Sequence, residues 1–414
     1  LRATRVSSAE VLRSGRTIGA AGVVRIARWL IAGQIALSLA LVTGAVLLLR
    51  TLDNLYRVDL GFNPRQVLMF TTDPRLAGYD GERALALYRD LLQRARALPG
   101  AQAASLIRNP MLGANTGLTR VVVPGYVPTT AEKEAPPWTV DYGVGPQFFA
   151  TMRMPLVAGR DFTDDGIDRT GKVAIINQTM ARHFFGDRNP IGEKIAVATN
   201  TPDVEIIGIV ADTHYFSPKE EKQDVIFTPL LTPAVTQATV LVRTSGPPTQ
   251  LAGNVRALVR SVDPNLPVYQ IMSMRQLLDD NLAQQRIIAT LSAFFAVLAL
   301  VLSAIGLYGV LAYSVSQRTG EIGVRLALGA TRGNIVRLIL RDTAVMLAIG
   351  VSAGLVLTIT SARLVRSVLF GVSANDIATI AAAVSVLLVV AVAASIVPTR
   401  RAIRIDPMAA LREE

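Results

Sequence analysis

The sequence has no cysteine and only two histidines, His183 and His214. Thiol catalysis, disulfide staples and cysteine-ligated metal are thereby excluded, and so is a histidine-rich metal site. Charge is sparse: 18% of the 414 residues are charged against 51% hydrophobic, and the mean hydropathy is +0.40. That balance excludes intrinsic disorder and argues against a water-soluble globular chain. Lysine is missing from both ends, since Lys133, Lys172, Lys194, Lys219 and Lys222 all fall within residues 51–286.

The net charge of +11 would fit nucleic-acid binding, but its distribution does not. Residues 51–286 balance 24 basic against 24 acidic side chains, so the whole excess lies beside the apolar segments and is carried by arginine. That is the charge pattern of membrane orientation, and no nucleic-acid partner is expected.

A spanning helix needs about 20 apolar residues. Four charge-free windows meet this length: 29–49, 287–317, 343–362 and 377–399. The flanking segments are a basic N-terminal stretch (1–28), a large domain (50–286), a loop (318–342), a short loop (363–376) and a tail (400–414). Six arginines precede the first window, five lie in 318–342 and four follow the last, against two in 363–376. Both termini and the 318–342 loop are therefore expected in the cytoplasm, with the large domain and the 363–376 loop outside. The expected fold is a four-helix membrane protein carrying a large α+β extracytoplasmic domain.

Ser273 and Gln276 have the spacing of a capping box, and no proline follows before Gln317. One helix from Ser273 to Gln317 would be about 67 Å long, against about 30 Å of bilayer core, so a stalk is expected to project outward. Leu52, Leu55 and Leu60 extend the first window in the same manner, up to the stop signals Gly61 and Pro64. Gly350 and Gly354 have the spacing of a close helix–helix contact.

Within the large domain, a strand at 66–72, an amphipathic helix at 80–98 and a strand at 101–107 form one β-α-β unit. A second unit covers 238–243, 249–262 and 268–271. Two such units around an insert, about 121–235, predict a split sandwich with a strand-rich insertion. Gly166–Val173 comes close to a phosphate-binding loop. Valine stands where the Mg²⁺-binding hydroxyl belongs, however, and 173–176 reads as a strand where a helix is required. No span interior carries an ionisable residue, so no ion-coupling site is expected, and Gln34 is read as pairing with a neighbouring helix. His183 and His214 are read as packing or surface residues, and no catalytic or metal-binding residue is assigned.

The most informative loop runs Arg318-Thr-Gly-Glu-Ile-Gly-Val-Arg-Leu-Ala-Leu-Gly-Ala-Thr-Arg332. Glu321 and Arg325 stand four apart with the acid first, which favours a helix. Ile322 and Leu326 add an apolar stripe, Gly329 can end the helix and Thr331 can cap the next. A short amphipathic helix tied to two spans can dock a cytoplasmic partner or lie on lipid.

The run from Arg318 to Ala330 resembles the signature of MacB/FtsX-type ABC transporter permeases. The tail Pro398-Thr-Arg-Arg-Ala-Ile-Arg-Ile-Asp-Pro407 resembles their ending. Gly145–Met152, Gly159–Thr163, Val173–Ala181 and Ile207–Val210 resemble the MacB-type periplasmic domain. The resemblance implies an inner-membrane permease subunit of an export or efflux system, worked mechanically by a separate cytoplasmic ABC ATPase dimer. ATP and Mg²⁺ would be held by that partner, with no cofactor on this chain. It assigns 318–330 as the coupling helix, with Glu321, Ile322, Gly323, Arg325, Leu326, Gly329 and Ala330 as coupling residues. Further implied partners are a second permease half, a periplasmic adaptor with an outer-membrane channel, and membrane lipids. FtsX-like signalling to a cell-wall hydrolase and lipoprotein release stand as alternatives.

Arg2–Arg13 also aligns without gaps to Arg401–Arg412, sharing Arg2/Arg401, Ala3/Ala402, Arg5/Arg404, Leu12/Leu411 and Arg13/Arg412. With Leu1 rather than methionine first, this repeat leads to the expectation of a tandem duplication whose second half is this chain. Such a duplication resembles the duplicated-permease subgroup known from acidobacteria.

Overall fold

The computed structural model describes residues 8–113, 117–130, 132, 138–163, 172–215, 217, 220, 222–328, 331–365, 369–373 and 376–403. The terminal repeat, at 2–7 and 404–412, lies outside the described residues. The chain divides into two compact units, Leu1–Arg57 with Gln284–Glu414, and Val58–Ala283.

The second unit is built on one sheet in the order β12-β1-β11-β2-β5-β10-β7-β9-β8-β4, with β4 at Val121–Val122, β3 (Gly117–Thr119) pairing with β5 and β6 (Leu156–Gly159) pairing with β9. Its first four strands are β1 (Val67–Thr72), β2 (Ala101–Ile107), β11 (Ala238–Thr244) and β12 (Val268–Ser273). Each β-α-β unit leaves a gap one strand wide, and the other unit fills it. β11 pairs antiparallel with both β1 and β2, and β12 pairs antiparallel with β1. Two helices cover one face, α2 (Gly81–Arg96) and α5 (Ala252–Val262). α2 buries Leu85, Tyr88, Leu91, Leu92 and Ala95 at helical spacing, and α5 buries Val255, Leu258 and Val259. These side chains form one core with Leu68, Phe70, Leu106, Val240 and Val242.

The insert continues the same sheet through β5 (Thr139–Val144), β7 (Val173–Asn177), β8 (Lys194–Val197), β9 (Val204–Val210) and β10 (Val225–Pro229). β5 with β10 and β7 with β9 are parallel pairs. Among its described residues are two short helices, α3 (Phe148–Met152) and α4 (Gln178–Phe185). Asn177 caps α4 by accepting from the Met180 N–H at 3.0 Å. Residues 166–171 of the near phosphate-loop motif lie outside the described residues, and strand β7 begins at its last position, Val173. Lys172 Nζ is 3.2 Å from Asp203.

Among the described residues, the first unit has four helices long and apolar enough to cross a membrane, at Ile26–Arg57, Ala283–Gln317, Gly333–Ser361 and Ile377–Ile403. They belong to α1 (Ser8–Arg57), α7 (Ala283–Gln317), α9 (Arg332–Val365) and α10 (Ile377–Ile403), with the short α8 (Thr319–Ala327) between the second and third spans. Two expectations are corrected. The helix beginning at Ser273 is not continuous to Gln317: α6 (Met274–Asn281) ends at Leu282, and α7 starts at Ala283. Leu282 carries a cap geometry outside the helical region, and its side chain is buried. The first span ends at Arg57, so Leu60 packs after the helix and not along it.

Gly350 and Gly354 of α9 face α1. A Cβ on Gly350 would lie 2.7 Å from Ile35 and 3.0 Å from the Ala32 carbonyl, and one on Gly354 would lie 3.0 Å from the Ala36 carbonyl and from Leu39. Only glycine admits so close a backbone approach. Ser38 of α1 donates to the Ala299 carbonyl of α7 at 3.1 Å and shares a 2.8 Å hydrogen bond with Ser303. The Gln34 side-chain oxygen lies where a Cβ on Gly306 would come within 3.2 Å. At the other end of α1, Arg50 pairs with Asp376 at 2.5 Å, and Asp376 accepts from the Thr379 N–H to cap α10.

Candidate functional site

The site singled out in the sequence is the α7–α8–α9 connection. α7 passes into α8 with hardly a break. Arg318 is a turn residue, its carbonyl accepts from the Ile322 N–H at 2.9 Å, and Thr319 Oγ1 donates back to Ser316 O at 2.9 Å. The Leu328 N–H closes the last turn onto Val324 O at 3.0 Å. α9 opens at Arg332, where Thr331 O accepts from the Asn334 N–H.

The side chains of α8 divide by face. Glu321 and Arg325 pair at 2.6 Å, each about half exposed, with side-chain exposures of 48%. Val324 is exposed beside them, and Leu328, immediately after the helix, is 82% exposed. Ile322 points the opposite way and is 2% exposed. It packs with Leu311 and Val315 at the end of α7 and with Ile335 and Ile339 at the start of α9. The sequence grouped Ile322 with Glu321 and Arg325 as a partner contact, and its burial removes it from the exposed face. Gly323 and Leu326 lie on α8. Gly329 and Ala330 lie outside the described residues. Val324 and Leu328 were missed in the sequence, where Ile322 and Leu326 form the apolar stripe; their exposure is set by how the helix packs on its neighbours.

Among the described residues, no group of His, Cys, Asp or Glu could hold a metal ion. His183 is not idle packing, however. Its Nδ1 is 2.5 Å from Asp224 and its Nε2 is 2.8 Å from Glu132, with Tyr126 Oη 3.0 Å away. Both ring nitrogens face carboxylates, an arrangement that favours the doubly protonated imidazole. Burial alone would lower its pKa, but the hydrogen bonds and charges of Asp224 and Glu132 raise it. Glu132 is held down to about 2, chiefly by the Thr129 N–H and hydroxyl and then by His183. Arg243, a buried cation on β11, spends its guanidinium on three carbonyls: Thr151 at 2.5 Å, Asn63 at 2.7 Å and Arg65 at 3.0 Å. Burial, aided by the nearby Arg153 charge, lowers its pKa to about 10, still well above neutrality.

Two family models match this chain, the MacB-like periplasmic core domain over residues 30–262 and the FtsX-like permease C-terminal domain over 293–407. Among curated proteins, the macrolide export ATP-binding/permease protein MacB of Burkholderia cenocepacia is 30% identical over 215 residues, covering 49% of this chain and 31% of that protein. The MacB of Bdellovibrio bacteriovorus is 26% identical over 49% of this chain and 33% of its own length. The chain thus spans about a third of the length of these relatives. An uncharacterized ABC transporter permease of Bacillus subtilis, YknZ, is 27% identical, with 66% of this chain and 69% of that protein covered. The periplasmic region of MacB from Actinobacillus actinomycetemcomitans is a solved structure similar to 55% of this chain and covered to 95%, at 17% identity and a TM-score of 0.34.

Proposed function

The chain belongs to the MacB/FtsX-like ABC transporter permeases, and from that premise we propose that it is the subunit through which a separate cytoplasmic ABC ATPase dimer drives export. The observation that carries this reading is α8. It is short and joined to α7 across the single turn residue Arg318, it buries Ile322 against α7 and α9, and it leaves Glu321, Val324, Arg325 and Leu328 outward. A helix lying on lipid would turn its apolar residues to the membrane and its charges to water. Here an acid–base pair and two apolar side chains share the free face, as in the polar-and-apolar anchors of a protein interface. ATP and Mg²⁺ belong to the partner ATPase. The arginine bias sets α8 and both termini in the cytoplasm and Val58–Ala283 outside, in the periplasm. Closure of the ATPase would push α8, and rigid-body displacement of the spans would work the outside domain. A second permease half, a periplasmic adaptor with an outer-membrane channel, and the surrounding lipids complete the machine.

The test is the double variant Glu321→Arg/Arg325→Glu. It preserves an intrahelical pair worth only about 0.5 kcal/mol, so the helix survives, while the charge presented to a partner is reversed. Binding of the ATPase subunit to the full-length permease in nanodiscs should fall about tenfold or more. Unchanged binding in this variant and in Leu328→Asp would refute the docking assignment.

A further inference from the structure

Ile322 is the buried residue among the described side chains of α8. It enters a crevice lined by Leu311, Ser314, Val315 and Arg318 from the α7 side and by Leu338 and Ile339 from α9. One side chain thus touches both helices that leave the loop. Its covalent neighbour is α7, to which α8 is held by the Ile322 N–H bond to Arg318 O and by Thr319 Oγ1 to Val315 and Ser316. Its hold on α9 comes through packing against Ile335 and Ile339. A β-branched residue in a helix is confined to essentially one χ1 rotamer, so it acts as a stiff lever and not a soft contact. Close-packed interiors transmit such displacement because they yield little to compression.

We infer that Ile322 is a transmission pin, a positioning residue that moves α7 and α9 together when α8 is displaced, while Val324 and Leu328 grip the ATPase. The inference rests on the proposed function, since a pin needs a partner to push it. It separates two properties that a single coupling motif would merge. Gripping belongs to the outward face, and transmission belongs to the inward one. A residue of the grip changes affinity; the pin changes the consequence of binding.

The experiment uses the full-length permease in nanodiscs with the cognate ABC ATPase subunit, ATP and Mg²⁺, and reads binding and hydrolysis separately. In Ile322→Ala, the Kd should change less than about threefold, while the permease-dependent change in hydrolysis falls about tenfold. Ile322→Val keeps the β-branch and should restore coupling, which mere loss of folding would not explain. Leu328→Asp should lose binding. Loss of binding in Ile322→Ala as severe as in Leu328→Asp would overturn the pin by making Ile322 part of the grip. Normal coupling in Ile322→Ala would overturn it equally. Wild-type permease that neither binds nor alters the ATPase would sink the docking reading itself, an outcome distinct from either.

Discussion

His183 illustrates what single residues in this protein do. Its ring ties Glu132, from the segment after β4 (Val121–Val122), to Asp224 at the head of β10. The raised folded pKa means that this contribution is complete below the unfolded value of about 6.5 and is lost as pH rises through the folded value. Glu132 behaves oppositely: held near 2, it contributes above its ordinary range and loses that contribution as pH falls toward 2. An NMR titration should therefore find His183 above about 6.5, with the α+β domain losing stability on the alkaline side. His183→Gln should abolish that alkaline loss, and a measured His183 pKa below the free value would contradict the account. Arg243 makes a second prediction. Arg243→Met would leave the carbonyls of Asn63, Arg65 and Thr151 without their donor and should cost about 3 kcal/mol, read by denaturation through Trp138 fluorescence in a Trp29→Phe background. Neither network was legible in the sequence. The partners of His183 lie 51 and 41 positions away and those of Arg243 lie 92 to 180 away, and periodicity reports only local faces.

Elements were more readable than residues, for a physical reason: a spanning window is set by length and apolarity alone, and an amphipathic helix by a repeat of 3.6. The face of α2 could be written down from spacing because sheet and solvent impose that repeat. The interruption at Leu282 could not, because Leu277, Leu278, Leu282 and Ile287 keep helical spacing across it and neither glycine nor proline marks it. The close approach of α9 to α1 supplies a third prediction. In Gly350→Val, the added Cβ meets Ile35 and the Ala32 carbonyl within 3.0 Å. Since backbone cannot yield as a flexible side chain does, destabilisation of about 1–3 kcal/mol is expected. The equivalent change at Gly33, where a Cβ meets nothing within 4 Å, should be tolerated. Thermal unfolding of both variants in detergent checks the contrast, and equal melting of the two would contradict it.

At the scale of the molecule, the architecture follows from two demands made in one chain. Apolar windows must find a bilayer, and a charge-balanced block between them must fold as an α+β domain of its own. Interleaved β-α-β units and an inserted set of strands on the same sheet meet the second demand. The candidate site was half legible. Glu321 and Arg325 were found from an i, i+4 spacing, whereas the inward turn of Ile322 and the outward turn of Leu328 depend on where α7 and α9 stand. The central claim is that this chain converts hydrolysis by a separate ATPase into motion. Its most direct test is the ATPase rate of that subunit with and without the reconstituted full-length permease. The account predicts a rate that changes on adding wild-type permease and returns to the unaided value with Glu321→Arg/Arg325→Glu. A rate indifferent to wild-type permease would contradict it.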